Sequence, residues 1–325
     1  MKLFSSVNDI TDLKGSVEQA LIQKADPFAN QSLGKNKTLG LVFLNPSLRT
    51  RLSTQKAALN LGMSVMVMNL DKEGWALETE DGVVMNGTTV EHIREAAAVM
   101  GQYCDILGFR SFPKLQNRDE DYSEGLFNKF VKFSGVPVIS LESATLHPLQ
   151  SFADLITIEE YKKTAKPKVV LTWAPHVKSV PQAVPNSFSE WMCRAQADGM
   201  VDFVITHPHG LELAEKFTPG AEIEYDQDTA LQGADFVYAK NWSSYHDYGK
   251  TVHGAESWMI THKKLEQTNE AKVMHCLPVR RDFELSAEVL DGPHSLVIKE
   301  AANRVWSAQT ILKNMLETLN YLQCP

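Results

Sequence analysis

Apolar residues in this chain alternate between two patterns. Short unbroken runs bounded by turn residues read as buried strands, and stretches with apolar positions every three or four residues read as helices. Residues 9–33 form a helical region carrying Leu13, Val17, Ala20 and Leu21, followed by a strand at Thr38–Leu44, a helix at Leu52–Leu61 ending on Gly62, and a strand at Ser64–Asn69. Leu70–Thr89, with Gly74, Gly82, Gly87 and a lone Trp75, reads as a long loop. A helix over Thr89–Gly101, a strand over Cys104–Phe109 with Arg110 just past its end, a strand at Val136–Ser140 and a helix at Leu149–Lys162 complete a first series.

A second series opens at Lys168–Trp173. Pro175, Pro181 and Pro185 exclude a continuous helix or central strand over 174–185. Helix Val184–Ala197, strands Val201–His207, Asp235–Lys240 and Lys272–Leu277, a short apolar element at Ser295–Ile298 and a long amphipathic helix from Asn303 to Leu319 follow. Strands alternating with helices predict an α/β protein of two doubly wound parallel-sheet domains with a cleft between them. The expected boundaries are 1–148, joined by the C-terminal helix 303–322, and 149–302.

Composition narrows the function. A length of 325 residues suits two domains, and 43% hydrophobic with 22% charged residues is ordinary for a globular chain. The formal charge of -8 leaves no surplus of cations for a nucleic-acid backbone, so any phosphate site must be local. The four cysteines, Cys104, Cys193, Cys276 and Cys324, form no C-x-x-C pair, which argues against a zinc module or a disulfide scaffold. The first residues lack the apolar stretch of a signal peptide, and no run reaches the roughly 18 apolar residues of a membrane span. The expectation is a cytoplasmic protein with neither membrane nor nucleic-acid partner.

Candidate chemistry begins where the first strand stops. Asn45-Pro46 is followed by Ser47, Leu48, Arg49, Thr50 and Arg51 at a helix start, where free backbone N–H groups, hydroxyls and guanidiniums all suit phosphate oxygens. The same residues also fit an ordinary helix cap with solvent-facing arginines. Arg110, beyond another strand end, can reach the same crevice. His147 and Gln150 share one helix face, with Pro148 in the first turn. His275-Cys276-Leu277-Pro278 ends a later strand; adjacent residues on an extended strand face opposite ways, which disfavours His275 activating Cys276 as a nucleophile. No strand–Gly-x-Gly-x-x-Gly–helix arrangement is present for a dinucleotide.

Together these pieces resemble the aspartate/ornithine carbamoyltransferase family. Ser47-Leu48-Arg49-Thr50-Arg51 is similar to its carbamoyl-phosphate motif, His147-Pro148-Leu149-Gln150 to its His-Pro-x-Gln element, His275-Cys276-Leu277-Pro278 to the ornithine-type element, and Arg304 in Glu300-Ala-Ala-Asn-Arg to a further active-site arginine. The resemblance implies carbamoyl-phosphate binding by Ser47, Leu48, Arg49, Thr50, Arg51, Trp75, Arg110, His147, Gln150, Leu277 and Arg304. Arg110, His147, Thr50 and Cys276 would carry the chemistry. It implies no metal or organic cofactor and a homotrimer in which Trp75, with Val90, completes the neighbouring subunit's site.

For the acceptor, the Asp-x-x-x-Ser-Met-Gly loop of ordinary ornithine enzymes is missing. Trp173-Ala-Pro-His176, Tyr238-Ala-Lys240-Asn-Trp242 and Arg280 instead resemble the branch acting on N-acylated ornithine, which implies acceptor binding by Val90, Glu142, His176, Lys240, Cys276 and Arg280. Where acetyl-specific members resemble Glu-Glu-His and succinyl-specific ones Pro-Glu-His, this chain reads Val90-Glu91-His92, without the usual proline. Valine adds no negative charge against a succinyl carboxylate, so N-succinyl-L-ornithine is expected over N-acetyl-L-ornithine. Val90 also fits simple packing at a helix start. A non-catalytic phosphometabolite sensor is the alternative outside enzymes. The branch further implies a trefoil knot, the Pro175–Pro185 loop threading a later loop.

Overall fold

The computed structural model describes residues 1–70 and 73–323, leaving Cys324 outside the described residues. The chain divides into two compact units: 1–113, 119–149 and 304–325 in the first, 114–118 and 150–303 in the second.

The first unit is built on strands β1 (Leu3–Phe4), β2 (Thr38–Phe43), β3 (Ser64–Asn69), the short β4 (Leu77–Glu78) and β5 (Glu91–His92), β6 (Ile106–Arg110) and β7 (Val138–Glu142). A parallel sheet runs β1-β7-β6-β2-β3, while β4 and β5 pair separately. Leu39, Leu41, Val42 and Phe43 of β2 are all buried, the signature of a parallel strand covered on both faces. The order reverses between β2 and β6, with Phe43 paired to Arg110 at the reversal. Ligands of open parallel sheets bind beyond strand ends at such a point.

The second unit repeats the plan with β8 (Lys168–Trp173), β9 (Asp202–Thr206), β10 (Glu222–Glu224), β11 (Phe236–Lys240) and β12 (Lys272–Met274), ordered β10-β9-β8-β11-β12 and parallel throughout. Its reversal lies between β8 and β11, where Trp173 pairs with Lys240. Helix Ala183–Ala197 buries Phe188 against Tyr238, ring centroids 4.1 Å apart, and takes Pro185 in its first turn.

Several boundaries differ from the sequence expectation for local reasons. The helix expected over 9–33 is Leu13–Ala25, capped by Asp12 and stopped ahead of Asp26-Pro27, because a residue before proline avoids helical backbone. The helix expected at Leu52 starts at Arg49, since Ser47 Oγ accepts the Thr50 N–H at 3.2 Å. Its neighbour begins at Ile93 rather than Thr89, because Glu91 and His92 pair with β4 and His92 Nδ1 caps the Arg94 N–H. Arg110 is the last residue of β6, not the one past it.

Two further differences lie near residues of functional interest. Strand β12 stops at Met274 instead of Leu277, where the His275 N–H turns to the Glu300 carboxylate at 2.8 Å. The element expected at Ser295–Ile298 is divided: Ser295 bridges Val273, and Val297 starts a helix that runs to Gln323. A helix at Gly125–Ser134 had no counterpart in the sequence reading. Its Phe130 stacks on Phe109 at 4.0 Å. Among the described residues no helix is long and apolar enough to cross a membrane.

Candidate active site

In the first unit, the residues that follow β2 and end β6 converge on Thr50. The Thr50 hydroxyl, buried in the first turn of helix Arg49–Asn60, accepts from Arg304 Nη2 at 2.6 Å and from Arg110 Nη1 at 3.3 Å. Arg110 also meets Glu142 at 2.6 Å. That pair exists because the β6/β7 register shifts after Phe109–Ser140, setting Arg110 opposite Glu142 instead of Leu141. Both charges are buried; burying such a pair is expensive, and replacing it by apolar residues would often stabilise a fold, so its presence points to function more than to stability.

His147 sits just ahead of helix Pro148–Tyr161 with its Nε2 between Arg304 Nη2 at 3.3 Å and Glu142 Oε2 at 3.4 Å. A guanidinium only donates and a carboxylate only accepts, so either neutral tautomer finds a partner at Nε2. Burial, then the charges of Arg304, Arg110 and Arg49, push this imidazole well below its usual value of 6.5. It is therefore neutral at pH 7. Its Nδ1 and the Arg110 Nε are buried without a protein partner among the described residues. Three guanidiniums, a hydroxyl, a neutral imidazole and the start of a twelve-residue helix are groups whose chemistry suits an oxyanion of more than one charge.

The second unit gathers a different set beyond β8 and β11. Lys240 ends β11 and is buried; His176 follows β8 and accepts from Arg280 Nε through its Nε2 at 3.1 Å. Glu284 underlies them, accepting the Arg280 backbone N–H at 2.8 Å and lying 3.5 Å from His275 Nε2. Burial pushes the Glu284 carboxyl upward, but a hydrogen bond from His275, the charges of His275 and Lys240 and the Arg280 N–H outweigh it, leaving it at about 2. Glu300 links two other elements: its carboxylate accepts from Gln150 Nε2 at 3.1 Å and from the His275 N–H. Leu277 has φ 56, donates its N–H to His275 Nδ1 at 2.9 Å and precedes a cis proline. The His275 ring thus faces the Leu277 N–H and Glu284, and the Cys276 thiol lies beside the Tyr238 hydroxyl.

Comparison with known proteins identifies the ensemble. Residues 2–160 match the family described as aspartate/ornithine carbamoyltransferase, carbamoyl-P binding domain, and residues 186–315 match its Asp/Orn binding domain. The chain belongs to the aspartate/ornithine carbamoyltransferase family. Within that family it is 55% identical to the N-succinylornithine carbamoyltransferase of Bacteroides thetaiotaomicron, over 98% of this chain and 100% of the relative. It is 34% identical to the N-acetylornithine carbamoyltransferase of Xanthomonas campestris pv. campestris, over 90% and 92%. Among solved structures, an N-acetyl-L-ornithine transcarbamylase variant with one glutamate replaced by valine, complexed with carbamyl phosphate and N-succinyl-L-norvaline, matches at a TM-score of 0.88 and 32% identity, covering 97% of this chain and 100% of that one.

Not every expected residue of this carbamoyltransferase-family chain joins the two clusters. Arg51 reaches Asn69 Oδ1 at 3.5 Å, and the Leu48 side chain points to solvent, so only its backbone is available to an anion. Trp75 and Val90 are brought together by the β4/β5 pair, the Val90 N–H donating to Ala76 and Trp75 Nε1 to Glu91 at 2.9 Å. Both side chains are open, 56% and 63% exposed. Glu284 escaped the sequence reading because an acid four residues after an arginine looks like ordinary surface charge. Glu300 stood inside the Glu300-Ala-Ala-Asn-Arg304 motif, which was the available signal.

Proposed function

We propose that this chain transfers the carbamoyl group of carbamoyl phosphate to the δ-amine of N-succinyl-L-ornithine, giving N-succinyl-L-citrulline and phosphate in arginine biosynthesis. The observation that carries the donor half is the convergence of Arg110 and Arg304 on the Thr50 hydroxyl, with His147 against Arg304, in buried surroundings. Ser47, the Leu48 backbone, Arg49, Arg51 and Arg304 hold the phosphate. Arg110, Thr50 and His147, with its proton on Nε2, donate to the carbonyl oxygen and stabilise the tetrahedral oxyanion; removing one such donor typically lowers kcat by about 10²–10³. Gln150 and the Leu277 carbonyl orient the carbamoyl amide. The departing phosphate accepts the amine proton, so no protein base is required.

On the acceptor side, Glu142 receives the incoming amine, Cys276 serves the same group, and Lys240, His176 and Arg280 take the carboxylate and the acyl amide. Glu284 fits this assignment, since it holds the Arg280 backbone and its charge acts on Lys240. Val90 leaves space and adds no repulsion where a succinyl carboxylate would lie. The succinyl assignment draws on the full-length likeness to the Bacteroides enzyme and on the glutamate-to-valine variant solved with a succinyl ligand. The assembly is a homotrimer in which Trp75 and Val90 serve the neighbouring subunit; their exposure, with Met66 and Met68 on the edge strand β3, supports that. Cys104, Cys193 and Cys276, with no disulfide among the described residues, fit a reducing cytoplasm. For the knot, the supporting contacts join the 175–185 loop to the 241–251 loop: Ser243 N–H to Val180 O at 3.0 Å, Gln182 Nε2 to Ser243 O at 2.7 Å and Ser179 N–H to Thr251 Oγ1 at 2.9 Å.

The test is turnover with carbamoyl phosphate and equal concentrations of the N-succinyl and N-acetyl acceptors, with products resolved by mass. Succinylcitrulline should dominate by about tenfold or more, and V90E should erase that margin while moving the carbamoyl-phosphate KM less than about twofold; tenfold corresponds to about 1.4 kcal/mol of differential binding. A preference for the acetyl acceptor would overturn the substrate assignment. Binding of both ligands without product would instead favour a sensor.

A further inference from the structure

We infer that Glu124 is a positioning residue for the donor pocket, its carboxylate clamping the turn that joins Glu142 to His147; this rests on the function proposed above. Glu124 precedes helix Gly125–Ser134 with φ 52 and ψ 30, a left-handed conformation disfavoured for a side chain of its kind. Backbone held there by its surroundings frequently marks a functional constraint. Here the side chain is aimed at residues 143–145. Its Oε1 accepts from Ser143 Oγ at 2.6 Å, Thr145 N at 2.7 Å and Thr145 Oγ1 at 2.5 Å, and its Oε2 accepts from Ala144 N at 3.2 Å.

Four donors on one carboxylate leave the turn little freedom. The turn is closed a second time on itself, Ser143 N–H donating to Leu146 O at 2.8 Å and Leu146 N–H to Ser143 Oγ at 3.2 Å. Its two ends are the functional groups: Glu142 closes β7, and His147 stands before Pro148, with Glu142 Oε2 and His147 Nε2 3.4 Å apart. A staple elsewhere in the unit would serve stability alone. This one spans the four residues between two groups assigned to opposite ends of the reaction, and errors of about 1 Å in such groups lower rates by about 10²-fold.

The experiment compares E124Q with the unaltered chain in kcat, KM for each substrate, Tm, amide hydrogen exchange and the His147 ring resonances. Glu124→Gln keeps the shape but sets an NH2 against donors. The expected result is a fall in kcat of about 10- to 100-fold, acceptor KM within about twofold, and exchange protection lost at Ala144 and Thr145 but kept along β6 and β7. T145V should lower kcat less, and should add little on top of E124Q. Should E124Q fail to fold, T145V and S143A carry the comparison, each removing one donor with the clamp residue in place. Wild-type kcat in all three variants overturns the inference, as does protection lost equally across the sheet. If the unaltered chain turns nothing over, the proposed function falls, and the clamp is then judged on His147: ring resonances in E124Q identical to the unaltered chain's overturn it, while broadened or shifted ones uphold it.

Discussion

His147 is the residue whose chemistry depends most on its neighbours. Burial and three arginines each disfavour its cation, so its value in the folded chain lies well below 6.5. The sign follows directly: the unfolded chain takes up a proton here near pH 6.5 and the folded chain does not, so this group's contribution to stability is present above that pH and is lost as the pH falls below it. Histidine-labelled NMR at pH 6 should show the His147 ring still neutral; a half-titrated ring at that pH would contradict the assignment. The residues assigned above to donor and acceptor were readable because their types are unusual for their setting: arginines at a helix start, and histidine before proline. Glu124 and Glu284 were not, because a carboxylate that gathers hydrogen bonds and a solvated one are written with the same letter, and only the donors that folding brings to each distinguish them.

At the level of elements, legibility followed burial. Strands β2, β6, β8 and β11 are covered on both faces, so their sequences are continuous apolar runs. Helix Gly125–Ser134 was hidden because its first residue is glycine, four of its ten residues are phenylalanine or valine, and no Ser, Thr, Asp or Asn caps it. Its partner helix Ile93–Tyr103 approaches so closely that a Cβ on Gly101 would stand 1.9 Å from the Ser134 carbonyl oxygen. Gly101→Ala must therefore push these two helices apart, and chemical denaturation should show a loss of about 1–3 kcal/mol, the usual range for overpacking. Unchanged stability would mean that this contact gives way freely.

At the level of the whole molecule, the homotrimer proposed above would draw on the exposed apolar side chains of Leu48, Leu52, Leu59, Met66, Met68 and Trp75. Light scattering in solution should give about three times the chain mass of 36.3 kDa, and W75A should reduce activity more than it reduces that mass. A stable monomer with full turnover would remove the shared-site assignment.

The order in which the ribosome releases this chain matters for its donor pocket. Thr50 emerges early, but the guanidinium at 2.6 Å from its hydroxyl belongs to a residue 254 positions further on. All five strands of the sheet β1-β7-β6-β2-β3 are synthesised long before Arg304. The same late stretch brings Ala308, Ile311, Leu312, Met315 and Leu316 into the core, so the guanidinium at Thr50 and the packing of the first unit are completed together, by the last residues to be made.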